Sequence, residues 1–359
     1  MIIIAAEYER NDRHRFARVT SFLIALNVMA FYYYGFRATI ITLISVAVSL
    51  LTDYACCMAT GRKIDFKDTS PLMSGMLLAL LFPASVPYKI VIFAGIFMTA
   101  ICKYAFGGNG NLIFSPVAVT YVFSALTWPN SLLRYPAPQP FGSLSLAPEI
   151  TDVLDRSFTY YVDTSLSSAS FLNIIWGKLT GPMGTMSILI IMICAISLYF
   201  FRDFPAPVFF SAVACNVLLF VLFPFFSTGW DSVLYSFVTG SFMFVLVFMA
   251  CDYRFAPKHP FAQTVYGILF ASLSFVLRKY CGIENSPVYA LLIVCIFSSE
   301  LDRLDILVSN SVTASCGYIG SKLRSVFIYY KFRTGSEDFS LDRKPKKADD
   351  DAEIGEKKY

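Results

Sequence analysis

Residues 74–83 read SGMLLALLFP, and residues 239–248 read TGSFMFVLVF. These apolar stretches resemble each other, and their glycines stand 165 residues apart. A second pair follows in the same order, because SPVAVTYVFSAL begins at residue 115 and SPVYALLIVCIFSSEL begins at residue 286. Two matching landmarks at nearly one spacing predict an internal duplication. A chance resemblance between apolar strings is the alternative interpretation.

The composition is that of an integral membrane protein. Of 359 residues, 56% are hydrophobic and 15% are charged, whereas about 25% of a soluble domain is charged. About ten apolar segments can be drawn between residues 19 and 305, and the long ones reach the ~20 residues that a helix needs to cross hydrocarbon. Backbone groups must bond one another there, so we predict an all-α polytopic membrane protein.

The duplication and the segment count together predict the domain organisation. About ten transmembrane helices divide into two five-helix repeats, over residues 19–128 and 173–305. Because each repeat has an odd number of helices, the second repeat is inverted with respect to the first. The remaining parts are an N-terminal segment over 1–18, a proline-containing loop over 129–172 and a polar tail over 306–359.

Lysine and arginine set the predicted orientation. The richer side carries Arg10, Arg13, Arg15, Arg18, Arg62, Lys63, Lys67, Lys103, Arg202, Arg254 and Lys258. The poorer side carries Arg37, Lys89, Arg134, Arg156, Arg278 and Lys279. Both termini are therefore predicted to be cytoplasmic, with the loop over 129–172 facing outward. The net charge of +4 is small, and the basic residues indicate orientation rather than a nucleic-acid partner.

Four acids at the ends of apolar segments are candidates for an ion path. They are Asp68, Asp252, Glu300 and Asp302. Acids drawn into a membrane are costly to bury and therefore often mark cation or proton paths. The alternatives are structural: Asp68 caps a helix, Asp252 pairs with Arg254, and the last two are solvated.

A glycine-rich stretch, FGGNGN, lies between two apolar segments. It consists of Phe106 followed by Gly107, Gly108, Asn109, Gly110 and Asn111. Glycines allow positive φ and a close approach of the backbone to a ligand, and the asparagines offer amide donors and acceptors. No GK[ST] follows, so the stretch is not a Walker loop. A simple cytoplasmic turn is the alternative.

Other chemistries are disfavoured by the residues present. The nine cysteines include no CxxC, and there are only two histidines, so we expect no metal site. His14 and His259 both lie in segments predicted to be cytoplasmic, whereas the serine-rich stretch VDTSLSSASFL at 162–172 ends the outward loop. No nucleophile triad can form across the membrane, and we expect no catalytic residue of that type.

Four segments in order resemble the family of RnfD and NqrB, the flavin-carrying membrane subunits of the Rnf complex and of the sodium-translocating NADH:quinone oxidoreductase. DTSPLMSGMLLALLFPASVP is similar to the family's TGLLLALxLPP-like segment, and KYAFGGNGNLIFSPVA to KxxFGGxGxNxFNPA. TGSFMFVLVFMACDYRFAP resembles GGxxxxAFFMATDPVTxP, and CGIENSPVYALLIVCIFSSELD resembles YxEGxxFAVLLMN…D. RnfD is the closer match, and the likeness covers about residues 15 to 305.

The resemblance implies a covalent cofactor at the serine cluster. The family carries FMN as a phosphoester on the last residue of D-x-x-[ST]-G-A-T, attached by a flavin transferase of the ApbE type. Here Ser167, Ser168, Ala169 and Ser170 match S-G-A-T, with Ser170 as the acceptor, and Asp163 stands one residue further upstream than the family's acid. The resemblance also allows a second flavin, riboflavin or another FMN.

The resemblance further implies a function and partners. The chain would be a membrane subunit of an ion-translocating electron transport complex in the bacterial cytoplasmic (inner) membrane, with other membrane and peripheral subunits as partners. Residues 181–187, GPMGTMS, lack the glutamate of the family's GxxGETS. This departure and the altered attachment motif favour the alternative function, a transporter or channel on the same scaffold without covalent flavin.

Overall fold

Two long helices at the start of the chain form a hairpin. In the computed structural model, α1 (Ile2–Tyr34) and α2 (Phe36–Thr60) are joined by Gly35 alone, whose φ is 69°. A side chain rarely adopts that conformation, so glycine permits the one-residue reversal. The two helices therefore run in opposite directions, and the end of α2 lies at the same end of the hairpin as the start of α1.

The residues described by the structure all belong to one compact unit, Met1–Ile306. They are 2–61, 68–106, 108, 112, 114–136, 181–201, 203–224, 229–238, 241–283 and 285–305.

The first part of the chain continues with short apolar helices. They are α3 (Ser70–Leu81), α4 (Tyr88–Ile96), α5 (Pro116–Thr127) and the one-turn α6 (Pro129–Leu132). A π-helix, Phe97–Tyr104, continues α4 without a break. Pro116 and Pro129 stand in the first turn of their helices, where the missing N–H removes no helical hydrogen bond.

The second part repeats this mixture of long and broken helices. Its elements are α7 (Ile188–Phe200), α8 (Ala206–Leu222), α9 (Gly229–Val238), α10 (Phe242–Val245), the π-helix Leu246–Ala250, α11 (Pro260–Cys281) and α12 (residues 286–305). The π-helix Leu246–Ala250 continues α10. Both π-helices thus extend a short α-helix.

The prediction of an all-α membrane protein is confirmed. The described part of the chain forms helices and loops without a strand. Within it, three helices are long and apolar enough to cross a membrane, namely His14–Tyr34, Phe36–Thr60 and Pro260–Cys281. Many large apolar side chains on the helix surfaces are exposed, among them Leu51, Leu126 and Phe200, as expected for surfaces that meet lipid.

Several predicted boundaries differ from the observed ones. Helix α1 begins at Ile2 and thus includes the arginine-rich segment predicted as a separate N-terminus, because residues 2–34 contain no proline or glycine to stop it. Residues 181–187, predicted within the second repeat over 173–305, form a buried, largely non-helical turn before α7. Residues 137–180 of the predicted outward loop and following segment lie outside the described residues, as does the tail over 306–359.

Gly184 lies between the apolar stretches 74–83 and 239–248. A Cβ atom at Gly184 would stand 2.8 Å from Leu80 Cβ, 2.8 Å from a ring carbon of Phe244 and 3.1 Å from the Leu80 carbonyl oxygen. Leu80 belongs to SGMLLALLFP and Phe244 to TGSFMFVLVF. Small residues allow such close approaches in membrane proteins, where packing rather than the hydrophobic effect holds helices together.

We predict that Gly184→Ala lowers the thermal stability of the purified chain. The added methyl group has no space, and overpacking of this kind costs about 1–3 kcal/mol. Gly181→Ala is the matched control, because a Cβ there would meet only the Thr185 hydroxyl, at 3.1 Å. Thermal unfolding in detergent, followed by fluorescence-detected size exclusion, measures both. Equal midpoints for the two variants would contradict the tight contact at Gly184.

Candidate functional site

A charged cluster lies near the middle of α1. Arg18 on α1 binds Asp203 with two hydrogen bonds, from Nε to Oδ2 at 2.5 Å and from Nη2 to Oδ1 at 2.7 Å. Arg15, one turn earlier, places Nε 3.8 Å from Asp203 Oδ1. The Asp203 side chain is only 6% exposed, so the two guanidinium groups compensate its charge. Asp203 is in the loop between α7 and α8, and its bonds to Arg18 join residues 185 positions apart.

A second carboxylate completes the cluster. Asp252, just after the π-helix Leu246–Ala250, accepts hydrogen bonds from Arg254 Nη2 at 2.5 Å and Nε at 2.8 Å. The predicted alternative, pairing with Arg254, is therefore confirmed. The Arg254 guanidinium also lies over the ring of Phe16, 4.7 Å from its centroid. This cation–π contact ties the Asp252 pair to α1.

Tyr253 connects the two carboxylate pairs. The Arg15 guanidinium lies 4.8 Å from the centroid of the Tyr253 ring. Burial raises the pKa of Tyr253 above its ordinary value, and the nearby Arg15 charge opposes that shift. The phenol is therefore neutral at physiological pH. We use the name charged cluster for Arg15, Arg18, Asp203, Asp252 and Arg254.

A cavity of about 30 Å³ opens beside the charged cluster. Its polar walls are Arg15, Asp203 and Asp252. Its apolar walls are Phe16, Val19, Met73, Leu198, Phe204, Val247, Phe248 and Cys251. The volume accommodates roughly two water molecules or one small cation. Two carboxylates thus border a small polar space inside an otherwise apolar bundle.

The other acids predicted for the ion path have structural partners. Asp68 Oδ1 accepts the Ser70 N–H at 2.9 Å, at the start of α3. Asp302 Oδ1 accepts the N–H groups of Lys258 at 2.9 Å and His259 at 3.2 Å. Glu300 pairs with Arg303 at 2.8 Å, with more than half of each side chain exposed. Of the four predicted acids, only Asp252 lines the cavity beside the charged cluster.

Gly108 is the one predicted ligand-binding residue of the glycine-rich stretch that the structure describes. It is buried, has a φ of 82°, and donates its N–H to the Lys103 carbonyl at 3.0 Å. That bond caps the end of the π-helix Phe97–Tyr104, and the positive φ explains the choice of glycine. The neighbours predicted with it, Gly107, Asn109, Gly110 and Asn111, lie outside the described residues.

The predicted flavin-attachment residues also lie outside the described residues. They are Asp163, Ser167, Ser168, Ala169 and Ser170. The described residues that flank this part of the chain, Arg134 and Gly181, lie near the C-terminal end of α1. Tyr34 donates its hydroxyl to the Gly181 carbonyl at 3.2 Å, and Ser85 donates its hydroxyl to the Arg134 carbonyl at 2.8 Å.

A polar contact at that end was missed by sequence reasoning. The Asn285 amide nitrogen donates to the hydroxyls of Tyr135, at 2.7 Å, and Tyr121. Asn285 is 2% exposed. Its only sequence signal was its place directly before the landmark at 286, which does not reveal distant tyrosine partners.

A second missed contact lies inside the bundle. Lys103 Nζ pairs with Asp53 Oδ1 at 2.8 Å, and both side chains are largely buried. Sequence reasoning uses Lys103 only as a marker of orientation. The signal available in the sequence was a lysine and an aspartate within apolar segments, a placement that is costly unless the two groups are paired.

Fold and site together define the class of protein: an all-α membrane protein with ion-paired charges inside its bundle. The model of the NQR2, RnfD, RnfE family matches residues 8–306 of the chain. The chain belongs to this family, as the four sequence segments indicate.

Similar proteins carry names from the same family. One relative is a component of the ion-translocating oxidoreductase complex of Halorhodospira halophila, 24% identical over 75% of this chain and 83% of its own length. Another is a component of the Na(+)-translocating ferredoxin:NAD(+) oxidoreductase complex of Acetobacterium woodii, 24% identical over 78% of this chain and 85% of its own. A third, from the ion-translocating oxidoreductase complex of Methanosarcina acetivorans, is 23% identical over 72% and 78%.

We predict that Asp203→Asn destabilises the chain because it leaves Arg15 and Arg18 without their carboxylate. Breaking a fully buried pair costs about 3–5 kcal/mol, and we expect roughly 1–3 kcal/mol here because Arg18 keeps 34% exposure. The double variant Asp203→Asn/Arg18→Gln should recover part of the loss. Arg303→Gln, in the exposed pair with Glu300, should change the free energy of unfolding by less than about 1 kcal/mol.

Denaturation of the purified variants under one set of detergent conditions tests this prediction. A double-mutant cycle isolates the Asp203–Arg18 coupling. If Asp203→Asn and Arg303→Gln were equally mild, Asp203 would not hold α1 against the loop between α7 and α8.

Proposed function

We propose that this chain is the membrane subunit of an ion-translocating electron transport complex. In this role it passes electrons through covalently bound FMN, coupled to the movement of Na⁺ or H⁺. The observation that carries the proposal is the family match over residues 8–306. Relatives in that family bear the names of ion-translocating and Na(+)-translocating oxidoreductase complexes.

The geometry of α1 supports a transmembrane arrangement of the two candidate sites. Arg15 of the charged cluster and Tyr34, which holds Gly181, are 19 residues apart on one helix (34 − 15). At ~1.5 Å per residue they are about 28 Å apart, close to the thickness of a bilayer core. The charged cluster would face the cytoplasm, with both termini, and the chain carrying Ser170 would leave and return on the outer side.

In this proposal the ion path begins at the charged cluster. Asp252 and Asp203 border the cavity, and each carboxylate is balanced by arginine. A cation entering this space gains carboxylate oxygens as ligands only when it displaces or shares an arginine contact. Asp252 is the stronger candidate, because its partner Arg254 is local, whereas Asp203 also joins α1 to the loop before α8.

Ser170 is the proposed acceptor for FMN. A serine hydroxyl forms the same phosphoester as threonine, so the residue present fits the group. When bound, FMN would supply the redox chemistry, and the protein would position it. A flavin transferase of the ApbE type would make the bond, and a second flavin, riboflavin or FMN, is part of the proposal. Asp163, Ser167, Ser168 and Ala169 would form the attachment motif.

We also propose that the chain folds as two inverted five-helix repeats. Packing of α4 on α2 and of α11 on α8 supports this. A Cβ atom at Gly95 would stand 2.9 Å from Val48 on α2, and one at Gly267 would stand 2.6 Å from the Val208 carbonyl on α8. The two glycines are 172 residues apart (267 − 95), near the spacing of the sequence landmarks. In each half, the helix that carries the glycine packs against the second helix of that half, α2 or α8.

Partners and location follow from the same proposal. The described chain has no nicotinamide or iron–sulfur motif, so electrons would enter and leave through other membrane and peripheral subunits. The relatives' names describe one subunit of a larger complex. The expected location is the bacterial cytoplasmic (inner) membrane.

The second candidate function is a transporter or channel without covalent flavin. The observation that favours it is at residues 181–187, where the family's glutamate is missing and every residue is buried in the bundle. Loss of an acid from a buried position alters whatever that position bound. The next experiment separates the two functions.

We predict that the chain becomes fluorescent under ultraviolet light after denaturing electrophoresis when it is expressed with an ApbE-type transferase. Ser170→Ala should abolish the fluorescence, because the acceptor hydroxyl is gone, whereas Ser170→Thr should retain it. Ser157→Ala, in the same predicted loop but outside the attachment motif, is the matched control and should stay fluorescent. A dark wild-type band, with the transferase active on another substrate, would favour the transporter. A band that survives Ser170→Ala would move the acceptor to a neighbour.

We further predict that Asp252→Asn lowers ion uptake by the reconstituted complex at least tenfold, because a neutral amide binds a cation more weakly than a carboxylate. Asp302→Asn should have little effect, since Asp302 accepts backbone N–H groups outside the cavity. Uptake of radioactive Na⁺ and acidification of vesicles measure the two ions. Equal losses in both variants would contradict the assignment of the path to Asp252.

A further inference from the structure

An ion pair lies inside the bundle, apart from the charged cluster. Asp53 is on α2 and Lys103 on the π-helix Phe97–Tyr104, and the ammonium nitrogen lies 2.8 Å from Asp53 Oδ1. The side chains are 17% and 8% exposed. Asp53 stands seven residues before the end of α2 at Thr60 (60 − 53), or about 10 Å along the helix axis. Asp53 is also 17 residues from Phe36 at the outer end of α2 (53 − 36), or about 26 Å along the axis, so the pair lies near the cytoplasmic boundary of a helix long enough to cross the membrane.

A buried ion pair of this kind commonly adds little to the free energy of folding. Removing two charges from water costs more than their attraction commonly returns, and apolar side chains of similar volume are often as stable or more so. Charged groups that are buried in a membrane-spanning helix are costly, and they often mark an ion or proton pathway. Asp53 and Lys103 are thus a pair whose presence calls for a functional explanation.

The surroundings of the pair offer further polar atoms. Tyr104 on the π-helix and Cys57 on α2 share a hydrogen bond, with Oη and Sγ 2.9 Å apart. The Lys103 ammonium lies 5.6 Å from the centroid of the Tyr104 ring. The Lys103 carbonyl also accepts the Gly108 N–H, which links the pair to the glycine-rich stretch. A π-helix is a frequent device for placing functional side chains.

We propose that Asp53 is a binding carboxylate for a monovalent cation, Na⁺ or H⁺, and that the Lys103 ammonium competes with that cation for it. The proposal rests on the ion translocation proposed above. The ammonium marks the position where a positive charge is stabilised, beside a carboxylate and a tyrosine hydroxyl. A Na⁺ ion prefers such oxygen ligands, and a proton would neutralise Asp53 directly. When the cation binds, Lys103 must turn away, so occupancy is coupled to the conformation of the π-helix.

The test uses the full chain, purified in detergent without flavin. In Lys103→Gln the carboxylate keeps its place and loses its competitor. Thermal unfolding is compared in sodium chloride and in choline chloride at equal ionic strength. We expect sodium to raise the midpoint of Lys103→Gln by about 2–4 °C over choline, because a ligand that binds only the folded state stabilises it. The double variant Asp53→Asn/Lys103→Gln should show no such difference.

A pH series in choline chloride separates the two cations. If the site takes a proton, lowering the pH should stabilise Lys103→Gln relative to the double variant, with no sodium response. The other titratable groups near Asp53 in the described part of the chain are Cys56, Cys57 and Tyr104, and both variants retain them. A Lys103→Gln variant indifferent to sodium and to pH would overturn the proposal, as would a sodium response that persists in the double variant.

The Lys103→Arg variant provides a second test if the Lys103→Gln variant does not fold. It keeps the charge, and a bidentate guanidinium should hold Asp53 more firmly than the ammonium does. In the assembled complex, the cation concentration that gives half-maximal turnover should then rise severalfold. An unchanged value would contradict competition at Asp53. The stability test needs neither flavin nor partners, so its failure is distinguishable from a failure of the electron-transport function.

Discussion

Charge compensation in a low-dielectric interior is the constraint on which the described structure depends. An uncompensated charge there is so costly that each buried carboxylate or ammonium must find a partner as the chain folds. Asp203 pairs with two arginines on α1, and Lys103 pairs with Asp53 on α2. Arg37 likewise donates to the carbonyls of Ala84, Ser85 and Val86 beyond the end of α3. These pairs join parts of the chain far apart in sequence, and they fix which helices are neighbours.

The two π-helices place the polar groups that matter most. Lys103 is the second-to-last residue of the π-helix Phe97–Tyr104. The π-helix Leu246–Ala250 ends two residues before Asp252. Both continue a short α-helix, so Lys103 lies within, and Asp252 just after, a helix whose regular hydrogen-bond pattern has been altered. Close packing at Gly95, Gly184 and Gly267 lets neighbouring helices approach around them. The apolar bundle thus surrounds a few locally irregular segments, and the candidate ion sites lie in or beside those segments.

The sequence predicted the fold class more completely than the site. Apolar segments and the scarcity of charge within them led directly to an all-α membrane protein, and four segments led to the family. Asp252 was predicted as an ion-path acid, and the structure places it beside a cavity. Asp203 was missed, because its significance comes from Arg18, 185 residues away. Asp68 and Asp302 were also predicted from their positions, and in the structure their carboxylates accept backbone N–H groups.

By itself the sequence determined where the chain is apolar, which is a local property of each segment, and therefore that it forms membrane helices. It also determined the residues available for chemistry, including Ser170 and the acids. Only the tertiary structure decided which charges meet, since pairing depends on helices brought together by packing. Lys103 illustrates the difference. In the sequence it is one of several basic residues that indicate orientation, whereas in the folded chain it is largely buried and paired with Asp53, which compensates its charge.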